Sequence, residues 1–363
     1  LNNNVIFISG KAGCGKSTIS RAILNAYKQA GYSVSACALS AKAAQRITEA
    51  TGFKATTIHK LLGLTPDSNG NINQIETDVL FVDECSMINI ELFEELLSAT
   101  KDGVRLIFVG DNMQLPPIGF GNPFSDLLKM KDKFAVYELK TVMRQAAESG
   151  ILTDANKIRD GVYPIDKPET KIISGKKQDM VYVFKDNKEH IRNLAVKNYL
   201  SAVEKFGLDE VVMLVPRKKN CINSTLELNN IIQNKLIPQN VPYIKYGDKT
   251  YKQGAKVVQR VNDYEKNVFN GEIGYIKKIW TEKQDNVTQT FFDVEFPMFN
   301  KKVTYEQKDI EQLDLAYALT IHLSQGSEYK AVIVVVDNSH YILLDSCLLY
   351  TAITRAKEKC ILF

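Results

Sequence analysis

The sequence predicts an α/β fold with two parallel-sheet units, a short hairpin insertion in the first and a small β-rich insertion in the second. Three observations carry that expectation. The apolar run at 5–8 (VIFI) leads into the glycine-rich stretch GKAGCGKST at 10–18, which is followed by a helical pattern. Two further apolar runs end in acids: 79–82 before Asp83 and Glu84, and 105–109 before Gly110 and Asp111. In both halves short β-rich runs alternate with helical patterns. This alternation produces parallel sheets, whose ligands gather beyond the carboxyl ends of the strands.

Gly10, Gly13 and Gly15 let a tight loop turn its N–H groups inward, a nest for anionic oxygen at a helix N-terminus. Lys16 is then placed for β- and γ-phosphates and the Ser17 hydroxyl for Mg²⁺. Gly13, Cys14, Gly15, Lys16, Ser17 and Thr18 form the expected nucleotide-binding set; the alternative is a plain glycine-rich turn. A strand at 33–38, a helix at 41–51 closed by Gly52, and a short helix at 57–62 follow. The polar stretch 64–76, LTPDSNGNINQIE, carries Asn69-Gly70 and reads either as a hairpin or as a surface loop. At the end of the 79–82 strand, Asp83 is expected to hold Mg²⁺ through its shell. Glu84 is expected to orient and deprotonate the attacking water. After the 105–109 strand comes DNMQLPP at 111–117, where Gln114 reads either as a contact to the γ-phosphate or water, or as part of a proline-stiffened turn.

The second half repeats the pattern, with a strand at 211–215, a helix at 226–236, a strand at 331–336 and a helix at 346–357 ending in basic residues. Residues 243–313 differ in texture. Glycine and Asn-Asp turns, aromatic and β-branched alternation and paired lysines suggest a small barrel or hairpin array, against a single long hairpin. The pairs Lys277-Lys278 and Lys301-Lys302 read either as a binding face or as a solvated one. The boundaries follow: 1–150 for the first domain, with 64–76 inserted, and 151–363 for the second, with 243–313 inserted.

Composition sets outer limits. The 363 residues carry 46 Lys and Arg against 42 acids, a net charge of +4. This balance permits a nucleic-acid partner without demanding one. Six cysteines lie singly, with no C-x-x-C pair, so neither a zinc site nor a disulfide framework is indicated, and a reducing, cytoplasmic setting is expected. No apolar run approaches the roughly 20 residues that span a bilayer, and no signal peptide is expected. The chain begins at Leu1 with a strand almost at once, so an upstream segment is expected.

Taken together, GKAGCGKST, ATTIHKLLG at 55–63, VDECSM at 82–87, GDNMQLPP at 110–117 and LKTVMRQ at 139–145 resemble superfamily 1 helicases in order and spacing. VPRKKN at 215–220, FNGEIG at 269–274, ALTIHLSQGSE at 318–328 and LLYTAITRAKEK at 348–359 extend the resemblance over nearly the whole chain. It is strongest to the RecD-like, 5′-to-3′ branch, which includes exonuclease V alpha-subunit-like ATPases. The resemblance implies two RecA-like domains, an SH3-like insertion at 243–313 over the DNA channel, and a strand-separating pin at 64–76. It implies that Arg144 and Arg355 point across the interdomain cleft at the γ-phosphate. There they join Lys16, Glu84 and Gln114 as the catalytic set, with Gly326 and Glu328 contacting the nucleotide. The implied track is single-stranded DNA and its junctions with duplex, gripped by phosphate and sugar. Its contacts would be Ser40, Lys42, Thr57, His59, Arg217, Asn270, Thr320 and His322; the two histidines read alternatively as structural.

Three departures from the family pattern stand out. Leu323 replaces the Lys or Arg usual after the motif histidine. LSAKAA at 39–44 replaces a Pro-Thr-Gly, leaving Ser40 as the surviving hydroxyl. The adenine-reading glutamine motif would lie upstream of Leu1. The expected activity is ATP- and Mg²⁺-dependent 5′-to-3′ unwinding of DNA in recombination, repair or replication, by a monomer that meets accessory proteins of those processes. A translocase without unwinding and a nucleotide-gated DNA-binding subunit with weak hydrolysis are the alternatives.

Overall fold

The structure, a computed structural model, describes residues 4–64, 72–141, 147–167, 169–284 and 287–363. It separates into two compact units. The first comprises Leu1–Pro164, Ser174–Gln178 and Asp345–Thr354, and the second Ile165–Ile173, Asp179–Leu344 and Arg355–Phe363. The segment at 345–354, which the sequence assigned to the second half, therefore packs within the first unit.

In the first unit β1 (Val5–Gly10), β2 (Val34–Ala38), β3 (Ala55–Thr57), β4 (Val79–Asp83), β5 (Arg105–Gly110) and β6 (Ala135–Leu139) form one sheet in the order β3-β2-β4-β5-β1-β6, every neighbouring pair parallel. The helices are α1 (Lys16–Gln29), α2 (Ala41–Thr51), α3 (Ile58–Leu62), α4 (Ile90–Ser98), α5 (Pro123–Leu127) and α6 (Gly150–Arg159). The sheet is buried on both faces, which explains its continuous apolar runs. On β4, Leu80 and Val82 join a core with Phe7, Phe108 and residues of α3, α4 and α5. Their alternates Val79 and Phe81 join an opposite core with Ile8, Ile107, Val109 and residues of α1 and α2. Phe7 and Phe108 stack across the β1–β5 pair at 5.1 Å. The expected pin lies largely outside the described residues: its flanks at 64 and 72–76 are described, its Asn69-Gly70 tip is not.

The second unit contains β7 (Lys171–Ser174), β8 (Met180–Val183), α7 (Lys188–Phe206), β9 (Val211–Val215) and α8 (Thr225–Leu236). The strands β10 (Tyr243–Tyr246) and β11 (Lys249–Lys252) pair antiparallel. Next come β12 (Lys256–Gln259), β13 (Ile273–Gln284), β14 (Val287–Phe296), β15 (Lys301–Glu306) and β16 (Leu313–Leu315), a five-stranded antiparallel sheet in the order β15-β14-β13-β12-β16. This is the β-rich insertion. β17 (Ala318–Thr320), β18 (Tyr329–Val334) and β19 (Ala356–Leu362) complete a sheet in the order β17-β9-β18-β19-β8-β7, with parallel pairing from β17 through to β8. One continuous core runs from Val211, Met213 and Val215 of that sheet to Phe292, Val294 and Tyr305 of the insertion.

One expectation is corrected. The last helix, α9 (Ser346–Ile353), ends before the basic residues, and Arg355 is not in it. Thr354 donates its hydroxyl to the Tyr350 carbonyl at 2.8 Å and to that of Thr351 at 3.1 Å, satisfying terminal acceptors of the helix. From Ala356 the chain pairs with β18 and β8. Lys and Glu favour helix intrinsically, but a central position in a parallel sheet outweighs a propensity difference of well under about 1 kcal/mol per residue.

Candidate functional site

The first-unit sheet brings its chemistry to three adjacent strands. β4, β5 and β1 deliver at their carboxyl ends, respectively, Asp83 with Glu84, Gly110 with Asp111, and the glycine-rich loop. Within the loop Gly13 and Gly15 have φ of 78° and 79°, left-handed backbone that glycine adopts without steric cost. Gly15 is the N-cap of α1, so the loop opens directly on the positive end of a fourteen-residue helix. Lys16 Nζ donates to the carbonyls of Gly10 (2.6 Å) and Lys11 (3.2 Å) and lies 3.9 Å from Asp111 Oδ2. Its ammonium is thus held at the loop mouth by neutral acceptors and one carboxylate. A compact charge with rotatable donors can exchange such carbonyls for phosphoryl oxygens.

Asp83 and Glu84 meet as two carboxylates. Burial, then the Glu84 charge, push the Asp83 carboxyl up to about 6, against the Glu84 N–H (2.8 Å to Oδ1) and the Lys16 and Arg46 charges, which favour ionisation. Glu84 has φ 53°, a left-handed conformation that costs a non-glycine residue on the order of 1–3 kcal/mol and that concentrates at functional sites. Its Oε1 lies 3.8 Å from Arg46 Nη1, and its Oε2 is buried with no hydrogen-bond partner. A buried carboxylate oxygen is ordinarily satisfied, so this one suits a bound water or a hydrated cation. Among the described residues no three His, Cys, Asp or Glu side chains form a metal-holding group. A cation at Ser17 and Asp83 would complete its shell from phosphates and water, the pattern by which Mg²⁺ is usually held, so the donors fit it.

The structure also brings in groups that sequence reasoning missed. The Tyr350 hydroxyl, on α9, accepts the N–H of Ala12 in the loop at 2.9 Å and donates to Asp111 Oδ2 at 2.5 Å. Thr351 Oγ1 accepts the Leu115 N–H at 3.0 Å. Asp111 is fully buried and Gln114 nearly so, with the Gln114 N–H donating to the Asp111 carbonyl at 3.2 Å. Lys11 pairs with Asp160 beyond α6 at 3.1 Å. Two consecutive hydroxyl residues in an otherwise apolar helix, LLYTAI, were the available signal for Tyr350 and Thr351. For Arg46 it was the i+4 spacing from Lys42 on α2.

The remaining sequence-predicted residues fall into two groups. In the first unit Ser40 and Thr57 follow or end the paired strands β2 and β3. Each caps a helix, Ser40 accepting the Ala43 N–H at 3.1 Å and Thr57 the Lys60 N–H at 3.2 Å. A hydroxyl that accepts a cap bond keeps its own proton to donate. Lys42 opens α2 and His59 lies in α3; burial lowers the His59 pKa, with Glu95 acting in the opposite direction. Arg144 lies outside the described residues. In the second unit Thr320, at the end of β17, pairs in register with Val215 of β9, just ahead of Arg217, and His322 follows. Asn270 lies in the insertion, its N–H donating to Asn262 Oδ1 at 2.9 Å. The second unit also joins Arg355 to the QGSE segment. Arg355 is 3% exposed and donates to the Ser327 carbonyl at 3.3 Å, Gly326 has φ 70°, and Glu328 lies 3.5 Å from Lys357.

Comparison with known proteins gives three family matches: an AAA domain over residues 2–181, an ATP-dependent RecD-like DNA helicase SH3 domain over 228–296, and a UvrD-like helicase C-terminal domain over 315–363. The chain is 31% identical over 359 residues to the ATP-dependent RecD2 DNA helicase of Deinococcus radiodurans, covering 98% of itself and 46% of that protein. It is 25% identical to the RecBCD enzyme subunit RecD of Mycolicibacterium smegmatis, over 99% of itself and 68% of the relative. The chain thus spans less than half the length of the Deinococcus protein. Among solved structures, Bacteroides Pif1 bound to single-stranded DNA aligns with a TM-score of 0.56 at 21% identity, over 99% of this chain and 88% of that one, a likeness of fold.

Proposed function

The chain belongs to the RecD-like superfamily 1 helicases, and from that premise we propose that it hydrolyses ATP with Mg²⁺ to move 5′ to 3′ along single-stranded DNA and open duplex at junctions. The observation that carries the proposal is that the glycine-rich loop after β1 and the Asp83-Glu84 pair after β4, with β5 between them, lie at the same carboxyl edge of the sheet, where one Glu84 oxygen is buried and unpartnered. Ser17 and Asp83 would hold the metal, which neutralises charge on the phosphates when bound. Lys16 binds the β- and γ-phosphates, and the loop N–H groups orient them. Glu84 holds the attacking water through its unpartnered oxygen and takes its proton. Gln114 reports the presence of the γ-phosphate, and Gly326 and Glu328 contact the nucleotide.

Arg144 and Arg355 are proposed, on the family resemblance, to stabilise charge on the transferring phosphoryl group. Ser40, Lys42, Thr57, His59, Arg217, Asn270, Thr320 and His322 are proposed to grip the strand by phosphate and sugar, and residues 64–76 to separate the duplex. The proposed partners are single-stranded DNA, its junctions and accessory repair or replication proteins, for a cytoplasmic monomer. Among the described residues no helix is long and apolar enough to cross a membrane.

The test is steady-state ATP hydrolysis with and without a single-stranded oligonucleotide, beside Lys16→Ala. Strong stimulation that vanishes in the variant supports a DNA-coupled motor. ATP binding with no stimulation would overturn it.

A further inference from the structure

The second unit holds a charged centre apart from the residues assigned so far. Asp314, on β16, has a side chain only 15% exposed, and three cations from different elements converge on it. Lys218, in the loop after β9, places Nζ 2.6 Å from Oδ2; Lys249, on β11, places Nζ 2.5 Å from Oδ1; Arg260, just beyond β12, places Nε 3.3 Å from Oδ2. Burial alone would raise the Asp314 pKa, but the hydrogen bonds from Lys218 and Lys249 hold it below the usual carboxylate range.

Three cations against one anion leave a local excess of two positive charges. A purely structural ion-pair knot gains most when its charges balance, because an unmatched buried charge is costly. Here the excess stays in contact with water: the side chains of Lys218, Lys249 and Arg260 are 52, 27 and 32% exposed. All four residues line one pocket, with Thr225 and Thr320 beside them and an apolar wall that includes Leu226, Val258, Leu319 and Leu323. A concave, hydroxyl-bearing site with two surplus positive charges is matched to an anion that keeps its charge at every physiological pH, as a phosphodiester does.

We infer that this pocket is a subsite for a backbone phosphate of single-stranded nucleic acid. Lys218, Lys249 and Arg260 are its cations, and Asp314 is a built-in competing anion that weakens the grip. The inference rests on the nucleic-acid reading above and adds a regulating group to it. A motor must release each phosphate it holds. A fixed carboxylate that reclaims the cations when the phosphate leaves lowers the barrier to that release.

The two roles for Asp314 give effects of opposite sign on binding. Affinity for a fluorescently labelled oligothymidylate would be measured by anisotropy over a salt series, with folding checked by circular dichroism and thermal melting. Lys218→Gln should weaken binding about three- to tenfold and flatten the slope of log affinity against log salt by about 0.7. Asp314→Asn should tighten binding by roughly the same factor, since it removes a negative charge beside the phosphate. If Asp314→Asn folds and weakens binding, or Lys218→Gln leaves the slope unchanged, the centre is a structural ion pair and the inference is overturned while the nucleic-acid reading stands. Should Asp314→Asn fail to fold, Lys218→Gln and Lys249→Gln carry the test by their salt slopes alone. If the unmodified protein does not bind the oligonucleotide at low salt, the functional reading itself falls, and the subsite with it.

Discussion

Replacing Tyr350 with Phe removes one hydroxyl that serves two partners without changing the shape of the ring. The hydroxyl donates to Asp111, fully buried, at 2.5 Å and accepts the Ala12 N–H at 2.9 Å. The bond to a buried carboxylate is of the charge-assisted kind, worth about 1.5–3 kcal/mol, and the loop N–H adds part of a neutral bond. Asp111 keeps the Met113 N–H at 3.2 Å and Lys16 at 3.9 Å, which offset some of the loss. The expected destabilisation is therefore about 2–3 kcal/mol, or a fall in Tm of roughly 4–12 °C for a unit of this size. Burial and the Asp111 charge push the tyrosine pKa far above its ordinary value, so the hydroxyl remains a donor and the loss should be the same at pH 6 and pH 9. Scanning calorimetry of Tyr350→Phe, beside Tyr341→Phe at a position 72% exposed, provides the comparison. Equal Tm values for the two variants would refute the claim that this hydroxyl fastens α9 to the phosphate loop.

Two further outcomes are expected. Glu84→Gln should leave ATP affinity within a few-fold of the unmodified protein and slow turnover by about 10²- to 10⁴-fold; unchanged turnover in a coupled ATPase assay would remove Glu84 as the base. The folded-state pKa of Asp83, about 6, lies above its ordinary 3.8. The native state therefore binds the extra proton between these values, and this group's contribution to ligand-free stability is full below about pH 4 and is lost as pH rises through 6. If Asp83 holds Mg²⁺ as proposed, nucleotide binding takes its ionised form, so affinity measured by calorimetric titration should fall from pH 7 to pH 5, and Asp83→Asn should flatten that profile. A flat profile in the unmodified protein would show Asp83 already ionised.

Much of the fold was legible because local chemistry dictated it. An apolar run ending in a glycine-rich loop and a helix can do little else than form a strand, turn and helix. Runs such as VLFV at 79–82, with no polar alternation, had to be buried on both faces, and the two opposed cores around β4 are the result. The aromatic and β-branched alternation of 243–313 likewise specified antiparallel strands before any partner was known. Asp83 and Glu84 could be chosen because a parallel sheet delivers the ends of its strands to one edge, where the loop also lies.

What the sequence could not contain was the meeting of distant segments. In ITRAKEK the lysines and glutamate favour helix locally, yet a place between β18 and β8 made a strand of 356–362 and moved Arg355 out of α9. Tyr350 and Asp111 are 239 positions apart, and nothing near either one specifies the other. The same holds for Asp314 and the three cations gathered around it. Periodicity and spacing report which face of an element is buried and which end of a strand is polar, because those are local properties of the chain. Which carboxylate meets which hydroxyl or cation depends on how sheets and helices pack, and that was decided only by the tertiary structure.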